Sequence, residues 1–181
     1  EFLGGAAAQD RVIVLINQSF PSEPIRLIAY TFDYGPLVAA LCAAKENSPR
    51  RLIEVVLDKG WTKTGPTKNQ NAFARQLLNA GIEARLSQGR LLTPVYAAAG
   101  REERLGSLVA IQHPTSINVG NMPTIGSTNF TVSSRANHEL SICFVMDDET
   151  AGRYVAYFDA CWNNARPVTS KELLDDVAER I

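Results

Sequence analysis

The sequence predicts an α/β fold in which a sheet is covered by helices. Two observations carry this. Short β-branched, apolar runs alternate with stretches of helical period, in the order α-β-α-β-α-β through the first half of the chain. The chain also has 181 residues, 45% of them hydrophobic and 20% charged, enough for one domain with a substantial core.

Val12, Ile13, Leu15 and Ile16 share one face of a short first helix. "PIRLIAYTF" is apolar on both faces and reads as a buried strand. Pro36 suits the first turn of the next helix, whose apolar face holds Leu37, Val38, Leu41 and Cys42, and Pro49 closes it. "LIEVVLD" is a second strand. Thr67 and Gln70 have capping-box spacing before a helix in which Phe73 and Leu77 stack, and Gly81 ends it. "IEARLS" is a third strand.

Pro94, Gly100 and Gly106, with charges between them, break the rhythm, so residues 90–107 read as a surface insertion. "SLVAIQHPTSINV" returns to strand character and "GNMP" is a turn. Residues 137–146 read as a strand with Leu140, Ile142, Phe144 and Met146 on one face. Asn137, Glu139, Ser141 and Cys143 take the other. An amphipathic helix follows, with Tyr154, Val155, Phe158, Cys161 and Trp162 on its core side. A last helix over 166–181 has a capping box at Thr169 and Glu172. The expected organisation is a tail or linker over 1–10, a domain over 11–165 and this C-terminal helix.

A net charge of -1 gives no global reason to expect nucleic acid. Lys45, Arg50 and Arg51 are expected to form a solvated helix end. Cys42, Cys143 and Cys161 lack metal-ligand spacing and read as buried free thiols. Neither a metal nor a cofactor is expected. No apolar run is long enough to span a membrane. The first residues, "EFLGGAAAQD", fit the remnant of a removed organellar presequence, a linker or a cloning scar.

Chemistry concentrates late in the chain. His113 ends a strand, Ser127 and Asn129 sit in a Gly-Ser turn, and Glu139 opens another strand. A histidine nucleophile, a carboxylate to fix its tautomer, and hydroxyl and amide donors would suit phosphoryl transfer. His138 reads as packing or surface.

"GSTNFTVSSRANHELSICF", with "IRLIAYTFDYGPLVAALCAAK", "IEVVLDKG" and "LLNAGIEAR", resembles the phospholipase D superfamily. The likeness is to its single-motif endonuclease and mitochondrial cardiolipin hydrolase type. The resemblance covers roughly residues 11–165. It implies a mixed β-sheet flanked by helices on both faces, with His113 as nucleophile, Glu139 orienting it, and Ser127 and Asn129 binding phosphate. A single-motif chain of this family pairs with a second chain, normally as a symmetric dimer.

The motif, however, departs from the family's His-x-Lys followed, after four intervening residues, by Asp. Thr115 stands at the Lys position and Gly120 at the Asp position. Pro114 fills the variable position, and the spacing from His113 to Gly126 is one residue short. Losing one such donor lowers the rate by about 10²–10³. The expected function is therefore a catalytically inactive domain that acts as a structural or interaction subunit, with a larger organellar complex as its candidate setting. The alternatives are an active phosphodiesterase, acting on nucleic acid or phospholipid, and a phosphate or phospholipid binder without turnover.

Overall fold

A computed structural model of the chain describes residues 1–58, 69–87 and 115–168. The core begins with three parallel strands, β2 (Ile25–Ala29), β3 (Ile53–Asp58) and β4 (Glu83–Ser87). Their alternate residues Leu27, Val55, Leu57 and Leu86 face one hydrophobic cluster. The helices α2 (Gly35–Asn47) and α3 (Asn69–Asn79) connect them and lie on that face, with α1 (Gly5–Gln18) packed beside α2. α1 contributes Val12, Leu15 and Ile16 to the same cluster, and α2 contributes Leu37, Val38 and Leu41.

The sheet continues antiparallel on both sides. β5 (Thr115–Val119) pairs with β2, β6 (Met122–Gly126) with β5, and β7 (Ser141–Cys143) with β6. The short β1 (Phe2–Leu3) forms one edge against β7, and β8 (Ala165–Pro167) the other against β4. The order is β1-β7-β6-β5-β2-β3-β4-β8, so the sheet is mixed and has helices on both faces, as expected. The β5–β6 hairpin closes through Gly120 and Asn121, and Gly120 has φ +61, which a side chain there would resist.

The opposite face carries α4 (Asp148–Asn164). Asp147 caps it, its carboxylate accepting the Thr150 N–H at 2.7 Å. That bond holds the Asp147 carboxyl below the usual carboxylate range. Tyr154, Phe158, Cys161 and Trp162 pack on Ile28 and Val56. Below them Arg26 lies 3.4 Å from Glu54 and under the Phe158 ring, and Arg85 lies 4.2 Å from the Trp162 centroid. Burial raises Glu54 above the usual carboxylate range; Arg26 opposes this, while Asp159 and Glu83 add to it.

Several expectations are corrected. Residues 2–10 are not a tail: they form β1 and the first turns of α1, which is longer than the predicted helix. β6 was not anticipated, because Pro123 and Gly126 disguise it. Pro123 pairs with Asn118 and turns its carbonyl toward Phe144 N–H at 3.4 Å, so its missing N–H removes no bond to β5. The strand expected over 137–146 is confined to Ser141–Cys143, and its faces are reversed. Ser141 and Cys143 point inward, whereas Leu140, Ile142 and Phe144 are 57%, 40% and 37% exposed. Only Met146 of the predicted apolar face is buried.

Residues 165–167, at the start of the expected last helix, are strand. Thr67, the 90–107 insertion and the Thr169–Glu172 box lie outside the described residues. Cys143 and Cys161 are buried and Cys42 half-buried, all three as free thiols. Arg51 is not on a solvated helix end: it is 5% exposed. Among the described residues, no helix is long and apolar enough to cross a membrane.

Candidate functional site

β2, β3 and β4 run parallel, β5 opposes β2, and β6 opposes β5. The ends of β2, β3, β4 and β6 and the start of β5 therefore meet at one edge of the sheet. Thr115 opens β5 at this edge, paired with Gly126 of β6, and the buried Asp58 closes β3 there. From Gly126 the chain enters the loop that holds Ser127, Asn129 and Thr131.

That loop is tied down from three sides. Gln9 of α1, 1% exposed, donates from Nε2 to the carbonyls of Asn129 at 2.7 Å and Thr131 at 2.9 Å. The connection after β2 supplies a parallel bridge from Phe32 to Phe130. It also supplies the Asp33 N–H, donated to the Phe130 carbonyl, and the Asp33 carboxylate, which accepts the Val132 N–H at 3.0 Å. Arg135 donates to Asp10 at 2.7 Å and to the Tyr34 hydroxyl at 2.7 Å. The hydrogen bond from Arg135, together with its charge, holds Asp10 below the usual carboxylate range, and Asp10 in turn raises Arg135. The cation against this loop is thus already paired.

The predicted phosphate ligands separate in this arrangement. The Thr115 hydroxyl, buried, donates to the Asn129 side-chain oxygen at 3.3 Å. The two positions expected to supply Lys and Asn are therefore adjacent, and they satisfy one another. Ser127 is tied to the neighbouring strand instead: its N–H donates to the Leu140 carbonyl at 3.0 Å, and its hydroxyl accepts the Leu140 N–H at 3.1 Å. The Ser141 hydroxyl donates to that of Thr128 at 2.9 Å beneath it. Gly126 is required here by close approach, since a Cβ would overlap the Leu140 carbonyl and Ser141.

Glu139 is half-buried rather than sunk in a strand, and it accepts from Asn137 Nδ2 at 3.4 Å. His138 is exposed. His113 and Pro114 lie outside the described residues. Among the described residues, no group of three or more His, Cys, Asp or Glu could hold a metal ion. Gln9, Asp10, Tyr34 and Arg135 were missed from sequence. A lone glutamine in an Ala-rich run carries no periodic or motif signal, and the Asp10–Arg135 pair spans 125 residues.

The fold and this loop define an α/β domain whose mixed sheet carries a fastened polar loop at one end. The family model described as "Cardiolipin synthase, PLD-like domain" matches residues 12–162, and the chain belongs to that family of phospholipase D-like domains. Among solved structures, it resembles the phospholipase D family member Nuc from Salmonella typhimurium. That match has a TM-score of 0.71 and 23% identity, over 93% of this chain and 95% of that one. NucT from Helicobacter pylori gives 0.67 at 15% identity, over 89% and 91%. An archaeal chromatin protein, TrmBL2, gives 0.58 at 12% identity, over 93% of this chain and 53% of the other. At these identities the likenesses establish the fold. No curated protein sequence matches the chain.

Proposed function

We propose that the chain is a phospholipase D-like domain without turnover, acting as a structural or interaction subunit of a larger organellar assembly. The observation that carries this reading is the Thr115–Asn129 hydrogen bond at 3.3 Å. Where the family motif has a cation to meet a phosphoryl group, this chain has a neutral hydroxyl turned onto the neighbouring amide. A missing donor of that kind lowers the rate by about 10²–10³. Gly120, at the motif's Asp position, sits in a hairpin turn that favours glycine.

The interaction half of the proposal is supported by the sheet face beside α4. Phe2, Ile142 and Ile125 line up across β1, β7 and β6. Ile125 also pairs with Ser116, whose hydroxyl meets Tyr154 of α4, so this row lies on the α4 side. α4 packs over β2, β3 and β4 and leaves the row exposed, together with Leu140 and Phe144. A contiguous exposed apolar face of this kind suits burial against a second protein chain.

The competing reading is a phosphodiesterase with His113 as nucleophile and Glu139, Ser127 and Asn129 in support, and it draws on the fold shared with Nuc. The deciding experiment is hydrolysis of bis(p-nitrophenyl) phosphate, single-stranded DNA and cardiolipin by the purified chain. Rates indistinguishable from a heat-denatured control support the proposal. Turnover that disappears in His113→Asn overturns it.

A further inference from the structure

At the end of the sheet remote from Thr115, a cavity of about 130 Å³ opens between the C-terminal turns of α1 and α2. Ile16, Pro21 and Ala44 supply an apolar wall, and Asn17, Asn47 and Arg51 a polar one. Arg51 belongs to the basic cluster that the sequence suggested was solvated, yet it is almost fully buried. Its guanidinium is clamped: Nε donates to the Glu23 carbonyl at 2.9 Å and Nη2 to the Ser19 hydroxyl at 2.6 Å. The Ser19 hydroxyl donates onward to the Ile16 carbonyl, and Lys45 Nζ donates to the Arg51 carbonyl at 2.7 Å.

Among the described residues Nη1 of Arg51 has no hydrogen-bond partner, and Arg51 forms no ion pair within 4.0 Å. The nearby Glu23 carboxylate accepts the Phe20 N–H, and its charge also favours the charged form of Arg51 from beyond ion-pair distance. A fixed, buried cation lining a cavity with one terminal nitrogen unused is a preorganised receptor for an acid group.

We propose that this cavity binds a small monocarboxylate, with its acid group on Arg51 Nη1 and its short apolar chain against Ile16, Pro21 and Ala44. The charge of the ligand follows from the setting. Two helix C-termini flank the cavity and present the negative ends of their dipoles, which oppose an anion and oppose a phosphate dianion more than a single charge held on Arg51. The apolar wall favours a ligand with a short hydrocarbon part over a bare oxyanion.

The test is an NMR titration of the whole chain with butyrate, with inorganic phosphate in parallel. Butyrate is expected to give saturable shifts confined to the cavity residues, with a Kd on the order of 1–10 mM for a ligand of so few atoms. Phosphate at the same concentrations is expected to give none. Ala43→Phe, at the exposed mouth, leaves the bonds of Arg51 intact and is expected to raise the Kd at least about tenfold. Arg51→Lys keeps the charge but loses the fork, and is expected to weaken binding similarly; if it fails to fold, Ala43→Phe decides alone. No saturable shift with butyrate, phosphate binding as tight as butyrate, or undiminished binding in Ala43→Phe would each overturn the proposal.

Discussion

Gln9→Met removes two of the hydrogen bonds that fasten the site loop to α1, and a long one accepted from Arg135 at 3.5 Å, while keeping the side chain's length and much of its volume. Both Nε2 hydrogens are used, one on the Asn129 carbonyl and one on the Thr131 carbonyl. Thr131 is buried, so its carbonyl bears close to the full cost of losing a partner, about 1–3 kcal/mol. Asn129 is half-buried and water reaches its carbonyl more easily, so its share is about 0.5–1.5 kcal/mol. Together the substitution is expected to destabilise the fold by about 2–4 kcal/mol. With a urea m-value of about 2 kcal/mol/M, the midpoint should fall by about 1–2 M. The assay is equilibrium urea unfolding followed by tryptophan fluorescence, to which Trp162, buried on the sheet side of α4, contributes. A midpoint shift below about 0.3 M at unchanged m would refute the reasoning, because the loop would then be held by its other contacts.

Three further outcomes follow from the same geometry. Gly126→Ala drives a Cβ into the backbone of Leu140 and Ser141, and calorimetry should show a loss of at least about 2 kcal/mol. Gly120→Asp places an acid where the resemblance puts the motif's Asp, but at φ +61 and with its Cβ 2.7 Å from a Glu23 oxygen. It should lower stability by about 1–2 kcal/mol, measured by urea unfolding. Burial pushes the Tyr154 phenol up to about 12 from an ordinary value of 10, a shift that the Ser116 hydrogen bond only partly opposes. Its folded-state pKa lies above its unfolded one, so this contribution to stability is present below pH 10 and is lost as pH rises through about 12. Denaturation across that range should show the slope in the parent and a smaller one in Tyr154→Phe.

The parallel half of the fold was legible because its signals are local. β2, β3 and β4 are β-branched runs buried on both faces, and α2, α3 and α4 keep a helical period beside them. The antiparallel half was harder to read. β1 is two residues long, β6 contains a proline and a glycine, and β7 shows an apolar alternation on the face that stays exposed. Pattern alone assigns apolar residues inward, and the open face beside α4 breaks that rule. At the site, residue types were legible but pairings were not. Ser127 and Asn129 lie two positions apart, yet one bonds Leu140, just before β7, and the other Thr115 of β5. That division depends on the β5–β6–β7 register, which no single segment encodes.

Among the described residues, the first ten make hydrogen bonds to partners far downstream. The Glu1 backbone nitrogen reaches Cys143, Asp10 reaches Arg135, and Gln9 reaches Asn129 and Thr131, over separations of 120 to 142 residues. During synthesis these residues leave the ribosome early and wait until β7 has emerged before they have anywhere to dock. The parallel strands and their helices are built from nearer neighbours and have no such delay. This segment is therefore seated later than the parallel strands that follow it in the sequence, and the loop at Thr115 acquires its final shape only at that closing step.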